Sequence, residues 1–319
     1  MAGTSMLTRV RGATTHDAAP GGRPRRRRTL QQRRRLLGMA LVAPAMLVIT
    51  VFFFVPLVLM LWMSLNDWPI LGSHRFIGLD NYTRAFKDAE WRHAVLFTVK
   101  YTVLITPVLF FAGLGLALLV RRGGRPARAF QSLFFLPVVI GFASGAYLFL
   151  YLAQPGLGPL TDLATHVGLG THESNWFSTA TSALLVVTGF VTWKVTGLQM
   201  LLLMSGLQSI PGELEEAARI DGASRWQAFR LVVLPLLRPT LALVLVFSVA
   251  GSLLAFDQFY IMTSGGPSNG TITAVYEIYR QSFINFSLGY GAALSALLML
   301  VLAAVSAVQM LLLRGSDHS

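Results

Sequence analysis

No cysteine occurs anywhere in these 319 residues, which excludes disulfides, thiolate nucleophiles and cysteine-ligated zinc or iron–sulfur centres. Charge is scarce too: only 13% of residues are Asp, Glu, Lys or Arg, against about 25% in ordinary soluble domains. Lys87, Lys100 and Lys194 are the only lysines. None of them follows glycine, so the chain lacks the Gly-Lys-Ser/Thr ending with which a P-loop cradles phosphates. Histidines stand at 16, 74, 93, 166, 172 and 318; none has a partner at metal-ligand spacing, and they read as solvated loop residues. In place of charge the chain has apolar residues, 54% of the total, and a mean hydropathy of +0.60. That is the composition of a membrane domain, and the expected fold class is all-α.

Hydropathy marks six spans, at 36–65, 95–120, 130–152, 177–207, 236–263 and 288–313. Each exceeds the roughly 20 residues a helix needs to cross the hydrocarbon. Residues 1–35 are expected to form a disordered basic tail, with ten arginines before the first span. A secretory signal is the alternative reading of that run, but its apolar core would be about 7–15 residues, far shorter than 36–65. The net charge of +12 therefore points to anionic lipid headgroups rather than nucleic acid. Arginines also cluster at Arg121, Arg122, Arg125 and Arg128, between Arg219 and Arg238, and at Arg314, whereas 154–176 has no Lys or Arg at all. The positive-inside rule then puts the tail, the Arg121 loop, the Glu216 loop and the closing tail 315–319 in the cytoplasm.

The polar island 209–239 between spans four and five organises the rest. Pro211 suits a first helical turn, and Glu213, Glu215 and Glu216 follow at the end where the helix dipole favours negative charge. Gly222 reads as a stop that permits a positive φ. Ser224 and Gln227 form a capping box that starts a second helix, expected to run through Phe229 and Leu231 and to end before Pro235. An amphipathic hairpin between two spans would be the plain account of this pattern. The spacing is more specific, however: Glu216-Ala217-Ala218, three residues ending in Asp221, Gly222, nine residues, Val232, one residue, Leu234-Pro235. It resembles the cytoplasmic EAA loop of ABC import permeases, with valine where the family usually has isoleucine. The resemblance implies a type I ABC importer permease fold with a coupling helix that docks on an ATP-hydrolysing subunit, through Glu216, Ala217, Ala218, Asp221, Gly222, Leu234 and Pro235.

Two further stretches are similar to carbohydrate-type members of that family. One is Arg75-Phe-Ile-Gly-Leu-Asp-Asn-Tyr82, read from the residues as a turn at Gly78 followed by an interfacial helix from Tyr82 to about Trp91. The other runs from Leu253 through Asp257, Gln258 and Tyr260 to Gly265-Gly266-Pro267. An ionisable residue within a span costs about 2.5–3.5 kcal/mol on insertion scales, so Lys194 in span four should face the bundle interior. Lys194, Asp257, Gln258 and Tyr260 are candidates for the substrate path, since carboxylate and amide acceptors suit a polyol and aromatic faces suit its ring. A structural role for Lys194 and Asp257, paired with each other or with a partner permease, stands as an equal alternative. Gly113, Gly115, Gly141 and Gly145 are expected at close helix contacts, and Pro107 and Pro137 at kinks. Three matches to the N-glycosylation pattern, at Asn81, Asn269 and Asn285, carry no weight in a prokaryotic family.

The expectation is a six-span integral membrane subunit in the cytoplasmic membrane of a prokaryote, with both termini inside. The resemblance implies one half of the pore of a binding-protein-dependent importer of a sugar or related polyol, working by alternating access. Its partners would be two ATPase subunits, which carry the ATP and magnesium, a second permease and an extracytoplasmic solute-binding protein. Two different permeases are favoured over two copies. The chain itself carries no cofactor and is not an enzyme. The rivals are an ion-coupled secondary carrier using Asp257 and Lys194 as a relay, which leaves the Glu216 pattern unexplained, and a membrane-embedded enzyme, for which no nucleophile or paired carboxylates are visible.

Overall fold

Lipid cannot hydrogen-bond the backbone, so a spanning chain must pair its own amides within helices. A computed structural model describes residues 30–314 apart from 122, 169, 170 and 172, and it is helical almost throughout. Four helices are long and apolar enough to cross a membrane: Leu37–Ser64, Ala89–Val120, Ala180–Gln208 and Leu288–Leu311. Two bent pairs bring the number to six when each counts as one span: Arg125–Val139 with Phe142–Leu152 at 98°, and Arg225–Leu236 with Arg238–Leu253 at 68°.

Leu30–Ile49 is helical, so 30–35, expected within a disordered tail, are in a helix; leucine, glutamine and arginine are good helix formers. The rest of that tail and 315–319 lie outside the described residues. Among the described residues, 30–56 belong to one compact unit and 57–314 to another. In the first, the helix Leu30–Ile49 passes Pro44 and continues through a π turn at Thr50–Phe54, with Leu41 and Phe52 exposed.

The second unit starts from a polar knot. Asn66–Asp67 pairs antiparallel with Arg75–Phe76, and the Asn81 amide donates to the carbonyls of Ser64 and Asn66 at 2.9 and 3.0 Å. Tyr82 reaches Ser64 Oγ at 2.7 Å. The Phe76–Tyr82 segment thus works as a clasp, with its turn at Gly78 (φ +61°) as expected. The interfacial helix is shorter than the expected 82–91 and lies at Asp80–Lys87. Asp88 breaks the chain by capping the long helix Ala89–Val120, which claims Trp91 for its own buried face.

The Asp88 carboxylate accepts from the amides of Glu90 and Trp91 and from the Tyr290 hydroxyl at 2.7 Å. Burial pushes this carboxyl up, but those donors outweigh burial and hold it below its ordinary range. A depressed carboxylate contributes stability that is present above the unfolded value of about 4 and is lost as pH falls through the lower folded value. In detergent, the wild-type melting temperature should therefore drop more steeply below about pH 4 than that of Asp88→Asn. Asp88→Ala should cost about 1–2 kcal/mol at neutral pH, as loss of a cap does.

The spans pack through small residues. A Cβ on Gly197 would stand 2.0 Å from the Phe134 carbonyl oxygen, and one on Gly206 would stand 2.3 Å from Thr240 Oγ1. Gly113 and Gly145 likewise admit Gln199 and Phe190. Gly115 and Gly141 meet no neighbouring helix, contrary to expectation. Pro137 marks the 98° break, whereas Ala89–Val120 runs through Pro107 without one. The fifth span is shorter than the expected 236–263. It ends at Leu253, and a six-residue helix, Asp257–Met262, follows the non-helical Leu254–Phe256. Thr273 Oγ1 donates to Ala255 O at 2.7 Å, taking a carbonyl the break frees.

Candidate functional site

Two places bring sequence-predicted residues together. The first is the loop after the fourth span. Helix Gly212–Ile220 starts at Pro211, carries Glu213 and Glu215 in its first turn, and is capped by Asp221. Gly222 takes φ +89° and donates to Arg219 O at 3.0 Å, while Ala223 N–H reaches Ala218 O at 2.9 Å. That pair of bonds is a Schellman motif, and it needs a left-handed residue at the glycine's position. Ser224 and Gln227 then exchange both bonds of a capping box, at 2.8 and 3.3 Å. The second helix does not stop before Pro235. A π turn at Phe229–Val233, in which Leu234 N–H reaches back to Phe229 O, carries it to Leu236, and the chain bends at Leu237.

No residue of helix Gly212–Ile220 is buried. Glu216, Ala217, Asp221 and Gly222 are exposed, and Ala218, Leu234 and Pro235 are half-buried. Leu234 packs with the buried Val233 and Leu237 against Met200, Leu203 and Leu207. The loop is thus rooted in the bundle at Leu234 while its first helix stands free. Arg121 holds that helix through Glu215 at 2.7 Å, with Arg219 on the same carboxylate at 2.9 Å. The Arg121 contact spans 94 residues and no local pattern in the sequence signals it, whereas the i,i+4 spacing of Glu215 and Arg219 signals the second pair. Leu214, Ile220, Trp226 and Leu231 present large apolar side chains outward, Ile220 at 86% exposure. These apolar side chains stand beside the exposed acids Glu213 and Glu216.

The second place is a cavity of about 490 Å³ between the second, fourth and fifth spans. Its polar lining comes from Tyr101, Gln199, Ser248, Ser252, Asp257 and Gln258, and its walls include Phe142, Phe247 and Phe256. Asp257 and Gln258 reach it because the break at Leu254–Phe256 turns the chain inward there. Lys194 and Tyr260 do not line it. Tyr260 stacks on Phe256 at 5.1 Å and meets Tyr276 and Tyr279 edge-on.

Lys194 faces the interior, as a lysine in a span must, but its ammonium does not pair with Asp257. It donates to the carbonyls of Pro137, Val138 and Ile140 at 2.7, 3.1 and 2.5 Å. These carbonyls lie at the break of the third span, where helical hydrogen bonding runs out; Pro137 O keeps one backbone donor, Ile140 N–H at 3.3 Å. Hydropathy gave no sign of that break, and Pro137 was its only signal.

Residues 90–316 match the model of a family described as binding-protein-dependent transport system inner membrane component. The chain is 34% identical over 273 residues to the sn-glycerol-3-phosphate transport system permease protein of Escherichia coli O157:H7, covering 84% of this chain and 91% of that one. It is 30% identical over 272 residues to a probable starch degradation products transport system permease protein of Thermoanaerobacterium thermosulfurigenes, covering 85% and 91%. A sulfoquinovosyl glycerol transport system permease protein of Agrobacterium fabrum is 30% identical over 296 residues, covering 92% and 96%. In fold the chain is similar to a crystal structure of a bacterial ABC transporter involved in the import of the acidic polysaccharide alginate: TM-score 0.79, 20% identity, 90% of this chain and 98% of that one covered.

Proposed function

The chain belongs to the family of binding-protein-dependent transport system inner membrane components, and from that premise we infer that it is the sugar- or polyol-carrying permease of an ATP-driven importer. The observation that carries the coupling part of this reading is the free-standing helix Gly212–Ile220, tied down by a Schellman turn at Gly222 and by Arg121, with no residue buried. Glu216, Ala217, Ala218, Asp221 and Gly222 offer a small-residue, acidic surface to an ATPase subunit. Leu234 and Pro235 root that surface in the bundle, so motion imposed on the helix is passed to the fifth span. ATP and magnesium belong to the partner ATPases. Their closure would carry the helix with it and open the bundle outward; hydrolysis would reset it.

The substrate class rests on the relatives, named for starch degradation products, a glycerol phosphate ester and a sulfoquinovosyl glycerol; hydroxyl-rich solutes are common to all three. A second permease, two ATPases and an extracytoplasmic binding protein complete the assembly. The arginines near Arg121 and Arg219 support a cytoplasmic position for the Glu216 loop. Affinity purification of the tagged chain from its native membranes, followed by mass spectrometry, tests the assembly. An ATPase, a second permease and a binding protein should come with it. Recovery of the chain alone, still moving solute down an ion gradient after reconstitution, would mean a secondary carrier.

A further inference from the structure

The cavity's polar lining is neutral apart from one carboxylate, Asp257. Ser248 Oγ donates to Val244 O and Ser252 Oγ to Val249 O, at 2.7 and 2.8 Å, so both hydroxyl protons are taken by the backbone. The amide nitrogen of Gln199 is on Ser248 Oγ at 2.7 Å, and that of Gln258 is on the Tyr101 hydroxyl. The Tyr101 hydroxyl proton and the second N–H of each amide stay available, all of them neutral donors. Gln199 is 4% exposed and its Oε1 has no hydrogen-bond partner. Asp257 is exposed to the cavity and takes part in none of the ion pairs among the described residues. No lysine or arginine lines the space, and the Lys194 ammonium is held by three backbone carbonyls.

We propose that this cavity admits uncharged, hydroxyl-rich solutes and turns away phosphorylated or sulfonated ones, with Asp257 as the residue that sets the discrimination. The proposal rests on the reading of the chain as an importer permease and deepens it. A sugar hydroxyl can donate to the Asp257 carboxylate and accept from the Tyr101 hydroxyl. Its apolar ring face can lie on Phe142, Phe247 or Phe256. A phosphate or sulfonate offers acceptors only. It finds no free cation here, and it would bring a second negative charge beside an unpaired carboxylate where low-dielectric walls strengthen the repulsion.

The test uses the purified complex of permeases and ATPases in lipid nanodiscs, with ligand binding read from the melting temperature. The probes are two pairs differing by one phosphate, glycerol with glycerol 3-phosphate and glucose with glucose 6-phosphate. In the wild type the phosphorylated member should never be the stronger stabiliser. Asp257→Arg should shift the preference towards the phosphorylated member by about tenfold or more, the factor that about 1.4 kcal/mol makes. The near-isosteric Asp257→Asn should weaken the discrimination without reversing it, which keeps the test decisive if the arginine variant folds poorly. Stronger stabilisation of the wild type by a phosphorylated member would overturn the proposal. So would a failure of both variants to gain affinity for one. ATP-driven uptake by the same complex, measured separately, reports on the importer reading; its loss would leave the charge preference standing as an independent result.

Discussion

Gly222→Asp is expected to lower ATP-driven uptake by about tenfold or more, equivalent to at least about 1.4 kcal/mol of docking free energy, while insertion and abundance stay at wild-type levels. The glycine sits at φ +89°, where a side chain adds roughly 1–2 kcal/mol of backbone strain. Aspartate adds a charge beside Asp221 at the helix end where the dipole already disfavours negative charge. No atom lies within 4 Å of where the new Cβ would stand, so the substitution does not disturb packing and its effect falls on the helix end alone. Gly222→Ala, carrying the strain without the charge, should give a smaller loss. Uptake assays with immunoblots of the membrane fraction decide the matter, and full uptake by the aspartate variant would sink the coupling role of the loop.

Lys194→Met is expected to destabilise the protein by roughly 2–3 kcal/mol, because it removes a charged donor shared by three backbone carbonyls, of which Pro137 O keeps a backbone donor in Ile140 N–H. The carbonyls of Pro137, Val138 and Ile140 sit where the third span turns through 98°. The ammonium also stands at the C-terminal end of helix Arg125–Val139, where a cation offsets the dipole. Lys194→Arg should recover only part of the stability, since a planar fork cannot aim at three convergent oxygens as a compact ammonium can. Melting in detergent, followed by scattering or tryptophan fluorescence, reads the difference. An unchanged melting temperature in the methionine variant would show that the break holds without the lysine.

Features written in local chemistry were legible from the sequence. The capping box at Ser224 and Gln227, the stop at Gly222 and the turn at Gly78 each follow from the residues that form them, and all three stand where expected. Long apolar runs were visible because hydropathy depends on composition alone; four of them are single helices, and two bent pairs make six when each counts as one span. Features that depend on distant partners were not visible. The apolar run 236–263 reads as one helix, yet it breaks at Leu254–Phe256, where the freed Ala255 carbonyl is taken by Thr273, eighteen residues on. Arg121 reaches Glu215 from another loop, and Gly197 earns its size from Phe134 on a neighbouring helix. The same limit applied to the cavity: Asp257 and Gln258 line it while Lys194 and Tyr260 do not, because the bends that decide which side chains face inward are tertiary features.

The absence of native cysteine makes the decisive measurement clean. Ala217→Cys gives a single thiol on the exposed face of helix Gly212–Ile220, which a thiol-directed photo-cross-linker can carry onto whatever docks there in native membranes. The account predicts one dominant product with a polypeptide bearing a P-loop lysine, with a yield that changes when ATP is added. No ATPase in any product, from a variant that still imports solute, would contradict it.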